Sequence, residues 1–282
     1  MTSHGFCIFA QHNKHTDYAK QAYALAMSIK IQMPNSQVCL ITNANVSTSV
    51  RQVFDHVLDI PGNDHAAEYD WKIHNRYKIY KCTPFERTII LDADMLLLSD
   101  ISHWWKFFSN YRLYFPNHVQ NYRGEMCKSN FYRKTFVSNN LPNLYCGMHY
   151  YHHGRENYKF VDVVSHIVTN YKLYYAKLTP KDQQEWCSMD VSVALASKIL
   201  GITHKITSMH PSITFTHMKS QLQNWQHVPE HWMEKVNVYF DDELNIKIGN
   251  FSQNGLLHYV EDEFLSDDLL KKIEKKYHKR YA

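Results

Sequence analysis

The sequence lacks any hydrophobic run long enough to cross a membrane, and its start does not resemble a signal peptide. A membrane-spanning helix needs about 20 consecutive apolar residues, and His4 and Gly5 already interrupt the first apolar stretch. The six cysteines include no Cys-x-x-Cys pair, which predicts reduced thiols in place of a zinc site or a disulfide framework. These absences predict a cytoplasmic protein without an integral membrane segment, and they leave peripheral attachment to a membrane open.

A strong charge of one sign is also absent. The formal net charge of +4 permits a nucleotide or nucleic-acid partner but does not by itself indicate one. The 282 residues, of which 44% are hydrophobic, are enough for a sizeable core in one large domain or two small ones. The sequence carries no signal of the oligomeric state.

The most informative stretch is Thr88–Ser99, in which the apolar run Ile89–Leu91 leads to Asp92 and Asp94. A short run rich in β-branched residues predicts a buried strand of a mostly parallel sheet. Alternate strand residues point to the same side, so both carboxylates are expected at the carboxyl end of the strand, where open α/β sheets bind ligands. Adjacent carboxylates repel unless a cation separates them, and their oxygen atoms predict Mn²⁺ or Mg²⁺. The alternative is a pair of surface aspartates at a turn.

The surrounding pattern predicts alternating strands and helices. Gly5–Ala10 and Gln37–Thr42 have the character of strands, and between them Asp17 is placed to cap a helix, which gives a βαβ unit. Further predicted elements are the helices Glu68–Cys82, Glu156–Tyr175, Glu185–Leu200 and Leu269–Ala282, the strands Arg112–Phe115 and Tyr145–Tyr151, and a hairpin of Asn245–Ile248 with Leu256–Tyr259.

Several polar positions are candidates for binding. Lys72 and Arg76 are four residues apart on the predicted helix, so they share a face that either holds a diphosphate or is simply solvated. Gly147 allows close approach of a ligand. His217 and His258 each follow a short apolar run, which suits a metal or phosphate ligand as well as a structural histidine.

The motifs together resemble one known family. Arg76 stands sixteen positions before the first aspartate of Leu91–Asp94, which reads Leu-Asp-Ala-Asp. Further matches are Ile8–Ala10, Asp17–Ala19, Ala26–Ile29, Tyr145–Gly147 and Asp190. The chain therefore resembles the GT-A glycosyltransferases, in the style of the family of glycogenin and the bacterial lipopolysaccharide galactosyltransferases.

The resemblance implies an α/β fold of the GT-A, Rossmann-like type. A mostly parallel sheet would be flanked by helices and followed by a C-terminal hairpin and helix. The expected domain is single and spans residues 1–282, with a nucleotide-binding half at 1–100 and an acceptor-binding half with a C-terminal extension at 101–282.

The resemblance also implies a site. In that family, the end of the first strand and the loop after it hold the nucleotide base. A basic residue, here Arg76, contacts the diphosphate or the sugar, and the two aspartates, here Asp92 and Asp94, bind the metal together with the nucleotide. Asp190 would contact the transferred sugar, although Val191 replaces the family's glutamine, and Tyr145 replaces the asparagine two positions before Gly147. The residues implied for the nucleotide sugar are Ala10, Gln11, Tyr18, Lys72, Arg76, Asp92, Ala93, Asp94, Gly147, His217 and Lys219.

The third metal ligand of the family is a histidine near the C-terminus, in an H-x-x-G-x-x-K-P-W motif. His217 has Trp225 at the matching distance, whereas His258 has the matching strand and C-terminal position. We favour His258 as the metal ligand, together with Asp92 and Asp94, and give His217 and Lys219 to the phosphates or the acceptor side.

The implied activity is that of a metal-dependent hexosyltransferase using a UDP-sugar, with glucose or galactose as the expected sugar. Its acceptor would be a hydroxyl of a saccharide or a lipid-linked glycan. Two segments rich in Tyr, His and Trp would suit stacking on sugar rings, and equally on bases: Tyr145–His153 and Gln221–Trp232. Asp190 would act as the base if the reaction inverts configuration and would position the donor if it retains it, and Arg76 would stabilise the leaving group.

Alternative functions remain open from the sequence. The basic segment Asn117–Asn143 and the basic tail allow a modified nucleic-acid base as the acceptor. A haloacid-dehalogenase-type phosphatase also has Asp-x-Asp after a strand, but it expects Thr or Val at the position of Leu96 and a downstream Gly-Asp, which this chain lacks. A nucleotidyltransferase would need a Gly-rich phosphate loop after the first strand, and a non-catalytic sugar- or nucleotide-binding module would need no metal.

Overall fold

A computed structural model describes residues 2–69, 72–127, 133–208, 212–219 and 231–281. Three short 3₁₀ turns cover Arg155–Asn157, Trp232–Glu234 and Asp262–Phe264. The strands are β1 (Thr2–Ala10), β2 (Val38–Thr42), β3 (His56–Asp59), β4 (Phe85–Asp92), β5 (Met95–Leu97), β6 (Leu113–Tyr114), β7 (Met148–His152), β8 (Thr216–His217), β9 (Val238–Phe240), β10 (Ile246–Ile248), β11 (Phe251–Ser252) and β12 (Leu256–His258). The helices are α1 (Tyr18–Gln32), α2 (Thr48–Arg51), α3 (Ile73–Arg76), α4 (Ile79–Cys82), α5 (His103–Phe108), α6 (Lys134–Ser138), α7 (Tyr158–Thr169), α8 (Tyr171–Leu178), α9 (Met189–Ile199), α10 (Thr203–Ile206) and α11 (Asp267–Tyr281).

The central sheet has six strands in the order β3-β2-β1-β4-β7-β6. The first four strands run parallel to one another, and β7 runs antiparallel to both β4 and β6. The βαβ unit predicted from the sequence is present, and the carboxylate of Asp17 accepts a hydrogen bond from the amide of Lys20 at 2.9 Å at the start of α1. The sheet is therefore mostly parallel, as the sequence predicts.

Both faces of the sheet are covered. On β1, Phe6 and Ile8 belong to one core cluster and Cys7 to another, because successive side chains of a strand point to opposite faces. The first cluster includes α1 and α11, and the second includes α7 and α9. This double burial explains why β1 and β4 read as continuous apolar runs and not as alternating ones.

The predicted pairing of Asn245–Ile248 with Leu256–Tyr259 in a hairpin is wrong, although β10 forms an antiparallel pair with β11. Strand β10 pairs with β9 and β11, whereas β12 pairs antiparallel with β5 and parallel with β8. The apolar strand β12 thus completes a sheet with residues far away in the chain, where all three of its residues are buried. This pairing sets His258 opposite both Met95 and His217.

Two predicted helices are interrupted. In the described residues of the segment predicted as Glu68–Cys82, the helical parts are α3 and α4. A polar side chain between these two turns binds the preceding loop, since Lys78 Nζ donates to the carbonyl of Asn63 at 2.5 Å. The segment predicted as Glu156–Tyr175 is divided into α7 and α8 at Asn170, whose side-chain amide donates to the carbonyl of His166 at 3.0 Å. Within the described residues, no helix is both long and apolar enough to cross a membrane.

Candidate active site

Two aspartates and one histidine converge where β4 leaves the central sheet. The carboxylates of Asp92 and Asp94 and the imidazole of His258 offer ligand atoms that all lie within 4.8 Å of one another. His258 Nε2 is 3.0 Å from Asp94 Oδ2 and 3.9 Å from Asp92 Oδ2. Among the described residues, these three form the one group of this kind.

The backbone brings the two acids together by a bend and not by strand alternation. Strand β4 ends at Asp92, and β5 begins at Met95. The amide of Asp92 donates to the carbonyl of Gly147 at 2.8 Å, and the carbonyl of Asp94 accepts from the amide of Tyr259 at 3.1 Å. The acidic pair is therefore held between the start of β7 and the end of β12.

Arg76 supplies the nearest positive charge. Its guanidinium forms an ion pair with the carboxylate of Asp92, and both side chains are about one-fifth exposed. Burial alone would raise the pKa of Asp94, but the charge and hydrogen bond of His258, followed by the charge of Arg76, lower it below its usual value. His258 and Arg76 therefore favour the ionised form of Asp94.

The geometry of the three side chains fits a divalent cation. Neighbouring ligands of an octahedral ion at about 2.1 Å are about 3 Å apart, which agrees with the 3.0 Å between His258 and Asp94. Two carboxylates with one imidazole suit Mn²⁺ or Mg²⁺ better than a soft metal. The residues proposed from the sequence as the metal ligands are thus together in space.

His217 lies directly beside this group. Its ring stacks on that of His258, with centroids 4.6 Å apart and planes tilted by 10°. Burial, together with the charges of His258 and Lys219, lowers the pKa of His217 well below its usual value, so the ring is neutral at pH 7. The structure therefore places His217 against the back of the candidate ligand, and Lys219 lies exposed at the rim of the same cavity.

Gly147 gives space to His258. A Cβ atom at position 147 would lie 3.1 Å from His258 Nδ1 and 3.2 Å from the terminal methyl of Met95. The close approach predicted for this glycine is thus made by a side chain of the protein itself.

Asp190 also lines the cavity, from the first turn of α9. Ser188 caps that helix, and its hydroxyl accepts from the amide of Val191 at 3.4 Å. One oxygen of Asp190 accepts from the backbone amide of Cys146 at 2.8 Å, and the other pairs with the guanidinium of Arg133. The carboxylate therefore does more than complement the helix dipole.

The end of β1 carries the candidate nucleotide contacts. Gln11 is buried, with its amide donating to Asp64 at 2.7 Å and accepting from Asn75 at 2.9 Å. Tyr18 also lines the cavity, and burial, with the charge of Asp94, raises its pKa to about 12. Ala10 is fully buried, and its neighbour Phe9 lines the cavity instead.

Lys72 holds a loop in place. Its Nζ donates to the carbonyls of Ala66 and Ala67 at 2.6 Å each, so it is not a solvated surface charge. The same side chain also lines the cavity.

These groups surround one cavity of about 490 Å³. It is lined by Phe9, Gln11, Tyr18, Lys72, Ile73, Arg76, Asp92, Ala93, Asp94, Tyr145, Gly147, Trp186, Cys187, Ser188, Met189, Asp190, Phe215, His217, Lys219, His258 and Val260.

Aromatic side chains are arranged differently from the sequence-based expectation. The stretch Tyr145–His153 suggested a surface for stacking on sugar rings, but His149, Tyr150 and Tyr151 are buried. This follows from the position of β7 inside the central sheet, between β4 and β6. Of the second proposed stretch, Gln221–Trp232, residues 221–230 lie outside the described residues, and Trp232 is buried.

The sequence did not reveal three residues that line the cavity or hold its lining residues in place. Trp186 is 57% exposed and still lines the cavity wall. Asn75 and Arg133 each bind a candidate residue from a distant part of the chain, so no local spacing indicates them. For Trp186, a signal was available, because a tryptophan four positions before an acidic helix start is an unusual loop residue.

The basic segments are partly neutralised by the protein itself. In Asn117–Asn143, Arg133 is buried, and residues 128–132 lie outside the described part of the chain. On α11, Lys272 pairs with Asp242 at 2.5 Å. These contacts reduce the charge that either segment offers to a nucleic acid.

No family model and no curated protein match this sequence. Solved structures do match the fold: an active-site mutant of LgtC aligns over 97% of this chain and 95% of its own, with a TM-score of 0.54 and 11% identity. The glycosyltransferase GlyE of Streptococcus pneumoniae TIGR4 covers 98% of this chain at a TM-score of 0.47 and 10% identity, over 60% of its own length. The bifunctional glycosyltransferase WbbM covers 99% of this chain at 0.47 and 12% identity, over 52% of its own length. The likeness to LgtC extends over nearly all of both chains and shows the GT-A fold, which confirms the fold expected from the sequence.

Proposed function

We propose that this protein transfers a hexose from a UDP-sugar to a hydroxyl group of a saccharide acceptor. The observation that carries the proposal is the convergence of Asp92, Asp94 and His258 within 4.8 Å at a cavity that also contains Arg76 and Asp190. In a GT-A fold, this arrangement suits a metal-bound nucleotide sugar.

Asp92, Asp94 and His258 are the residues that would hold the metal. A bound Mn²⁺ or Mg²⁺ supplies Lewis-acid stabilisation of the charge that develops on the leaving diphosphate. Arg76 lies beside Asp92 and lines the cavity, so its guanidinium is placed to contact the same diphosphate with charge-assisted hydrogen bonds. Lys219 adds a second cation at the rim.

The nucleotide end of the donor would occupy the wall formed by Phe9, Gln11 and Tyr18. The network of Gln11 with Asp64 and Asn75 fixes the orientation of its amide, so a base would meet a preorganised hydrogen-bonding group. Lys72 secures the loop that carries Ala66 and therefore supports this wall indirectly.

The transferred sugar would lie between the acidic pair and Asp190. A carboxylate that is held by Cys146 and Arg133 has remaining lone pairs for sugar hydroxyls, and it faces the cavity with a quarter of its side chain exposed. Sugar hydroxyls are good donors to such a group.

Trp186 is the candidate acceptor platform. It lies three residues before the start of α9, exposed at the cavity wall near Asp190. A large rigid ring with an apolar face suits the apolar face of a pyranose, so a free or lipid-linked saccharide is the acceptor that we propose.

The phosphatase alternative has less support. It calls for a further acidic group downstream, whereas the three-residue group found among the described residues is completed by His258. A non-catalytic binding module would bind the same ligands without turning them over. Turnover therefore distinguishes it from a transferase, and the following experiment measures turnover.

The test is a donor screen for release of UDP, with UDP-glucose and UDP-galactose, in Mn²⁺, in Mg²⁺ and in chelator. We expect metal-dependent release from at least one donor, a loss of about a hundredfold or more in Asp92→Asn and Asp94→Asn, and normal release in the control Asp59→Asn, whose carboxylate is exposed at the end of β3. Release that survives in chelator, or in both site variants, would refute the proposal.

A further inference from the structure

A buried arginine lies behind the cavity wall. The side chain of Arg133 is only 3% exposed, yet it belongs to a segment that reads as a basic surface loop. Burying a cation is costly unless its charge and its hydrogen-bond donors are satisfied. The contacts of Arg133 therefore show what the structure uses it for.

Its donors reach three acceptors at once. Nε donates to the side-chain oxygen of Asn143 at 2.9 Å, one terminal nitrogen donates to the carbonyl of Leu144, and the other pairs with the carboxylate of Asp190. Only the planar fork of a guanidinium can reach such divergent acceptors together, because a lysine ammonium is a point charge on a flexible chain.

Two aromatic rings pack against the guanidinium of Arg133. Its central carbon lies 3.7 Å from the ring centroid of Phe136 and 4.2 Å from that of Tyr145. The negative face of an aromatic ring attracts a cation, and the attraction is stronger where water is excluded. Tyr145 therefore supports Arg133 from the cavity side, where it also forms part of the lining.

These contacts of Arg133 hold the carboxylate of Asp190 in place. One of its oxygens is fixed by Arg133 and the other by the amide of Cys146 at 2.8 Å, while α9 begins beneath it. A carboxylate fixed at both oxygens cannot change rotamer without losing a charge-assisted bond. It still faces the cavity, in contrast to Arg133, which does not line it.

We propose that Arg133 is a positioning residue that, with Tyr145, fixes Asp190 as the acceptor for hydroxyls of the transferred sugar. The inference rests on the proposed function and adds the residues that determine sugar recognition. Arg133 acts only through Asp190, so its removal should affect the sugar part of the donor and leave the nucleotide part unchanged.

The experiment compares two ligands by isothermal titration calorimetry with Mn²⁺ present: UDP and the UDP-hexose that binds more tightly of UDP-glucose and UDP-galactose. In the wild type, the sugar should increase affinity relative to UDP. In Arg133→Lys and Asp190→Asn, we expect the UDP-hexose affinity to fall about tenfold, with unchanged affinity for UDP. Arg51→Lys, which alters an exposed arginine on α2, is the matched control and should behave as wild type.

A double variant separates positioning from general damage. If Arg133 acts through Asp190, adding Arg133→Lys to Asp190→Asn should cause no further loss of UDP-hexose affinity, because the two single effects are not additive. Tyr145→Leu removes one of the two rings that pack on the guanidinium and should also lower the UDP-hexose affinity with unchanged affinity for UDP, so this variant preserves a test if the arginine variants fold poorly.

The outcomes distinguish the two proposals. A wild type that binds neither UDP nor a UDP-hexose with Mn²⁺ overturns the proposed function and this inference with it. If the wild type binds UDP normally, three results would each overturn this inference and leave the proposed function standing. The sugar adds no affinity in the wild type, or Arg133→Lys keeps the full affinity that the sugar adds. In the third, the double variant loses more UDP-hexose affinity than Asp190→Asn alone.

Discussion

The imidazole of His258 packs directly against the backbone of Gly147, so that a methyl group at position 147 would lie 3.1 Å from Nδ1. The contact brings a strand of the C-terminal sheet against the start of β7, and it orients the candidate ligand nitrogen towards Asp92 and Asp94. The distance is shorter than ordinary van der Waals contact, so a side chain here must displace the ring.

Gly147→Ala should therefore weaken Mn²⁺ binding by roughly tenfold, the lower range for changes that reorient a metal ligand. The measurement is a Mn²⁺ titration by electron paramagnetic resonance. In the His258→Ala background the same substitution should leave the remaining metal affinity unchanged, because the ring that it displaces is gone. An equal loss of metal affinity in both backgrounds would contradict this explanation.

Arg76→Met should have opposite effects on apo stability and on the response to metal. Without the guanidinium, Asp92 and Asp94 repel each other, and we expect a loss of about 1–3 kcal/mol in the free energy of unfolding in chelator. Mn²⁺ should then raise the melting temperature by more in the variant than in the wild type, while UDP-sugar turnover falls at least about tenfold.

Thermal unfolding with and without Mn²⁺ checks this, with Arg51→Met as the control for loss of an exposed arginine. A variant that is as stable as wild type in chelator would show that the ion pair of Arg76 with Asp92 does not balance the acidic pair.

Trp186→Ala should raise the KM for a saccharide acceptor by about tenfold, since ring stacking contributes about 1 kcal/mol or more, without altering donor hydrolysis in the absence of acceptor. Trp186→Phe should retain most of the acceptor affinity. Tyr239→Ala removes a similarly exposed aromatic residue from β9 and is the control. Initial-rate kinetics at varied acceptor concentration test the prediction, and an unchanged KM in Trp186→Ala would remove this residue from the acceptor site.

His149 should make the fold sensitive to acid. Its Nδ1 donates to the carbonyl of Cys146 at 3.0 Å, so Nε2 accepts from the hydroxyl of Tyr80 at 2.9 Å. Burial, with the charge of Arg76, lowers its pKa from 6.5 to about 3. Below pH 6.5, His149 binds a proton in the unfolded chain but stays neutral in the folded protein, which favours unfolding. The contribution of His149 to stability is therefore complete above pH 6.5 and declines as the pH falls towards 3.

The slope from this one group is at most about 1.4 kcal/mol per pH unit. Urea unfolding from about pH 7 to about pH 4 should show a shallower decline in His149→Gln than in the wild type. His204→Gln, at an exposed position, should follow the wild-type curve. Parallel curves for wild type and His149→Gln would show that this histidine binds a proton as readily in the folded state as in the unfolded chain.

Much of the fold follows from local pattern. The apolar runs of β1, β2 and β4 and the cap at Asp17 were predicted because each depends on residues close in the chain. The pairing of β12 could not be predicted in this way, because its partners β5 and β8 are distant in the chain and are themselves only three and two residues long. Adjacency favoured a hairpin that the structure does not form.

In the candidate site, too, local pattern predicted some residues, whereas contacts between distant parts of the chain could not be predicted. The spacing of Asp92 and Asp94 indicated a carboxylate pair, although a bend and not an extended strand brings them together. Arg133 resembled a loop cation because burial depends on the whole fold, and its contact with Asp190 joins residues 57 positions apart. Sequence pattern identified acids that terminate strands, but not the side chains that hold them from behind.

The most direct test of the central claim is a Mn²⁺ titration in the presence of UDP, followed by electron paramagnetic resonance. The wild type should bind one Mn²⁺ per chain, Asp92→Asn, Asp94→Asn and His258→Ala should each lose that site, and His217→Gln should retain it. Stoichiometric Mn²⁺ binding that persists in the first three variants would show that these side chains do not hold a metal, and the proposed transferase chemistry would have no support at this site.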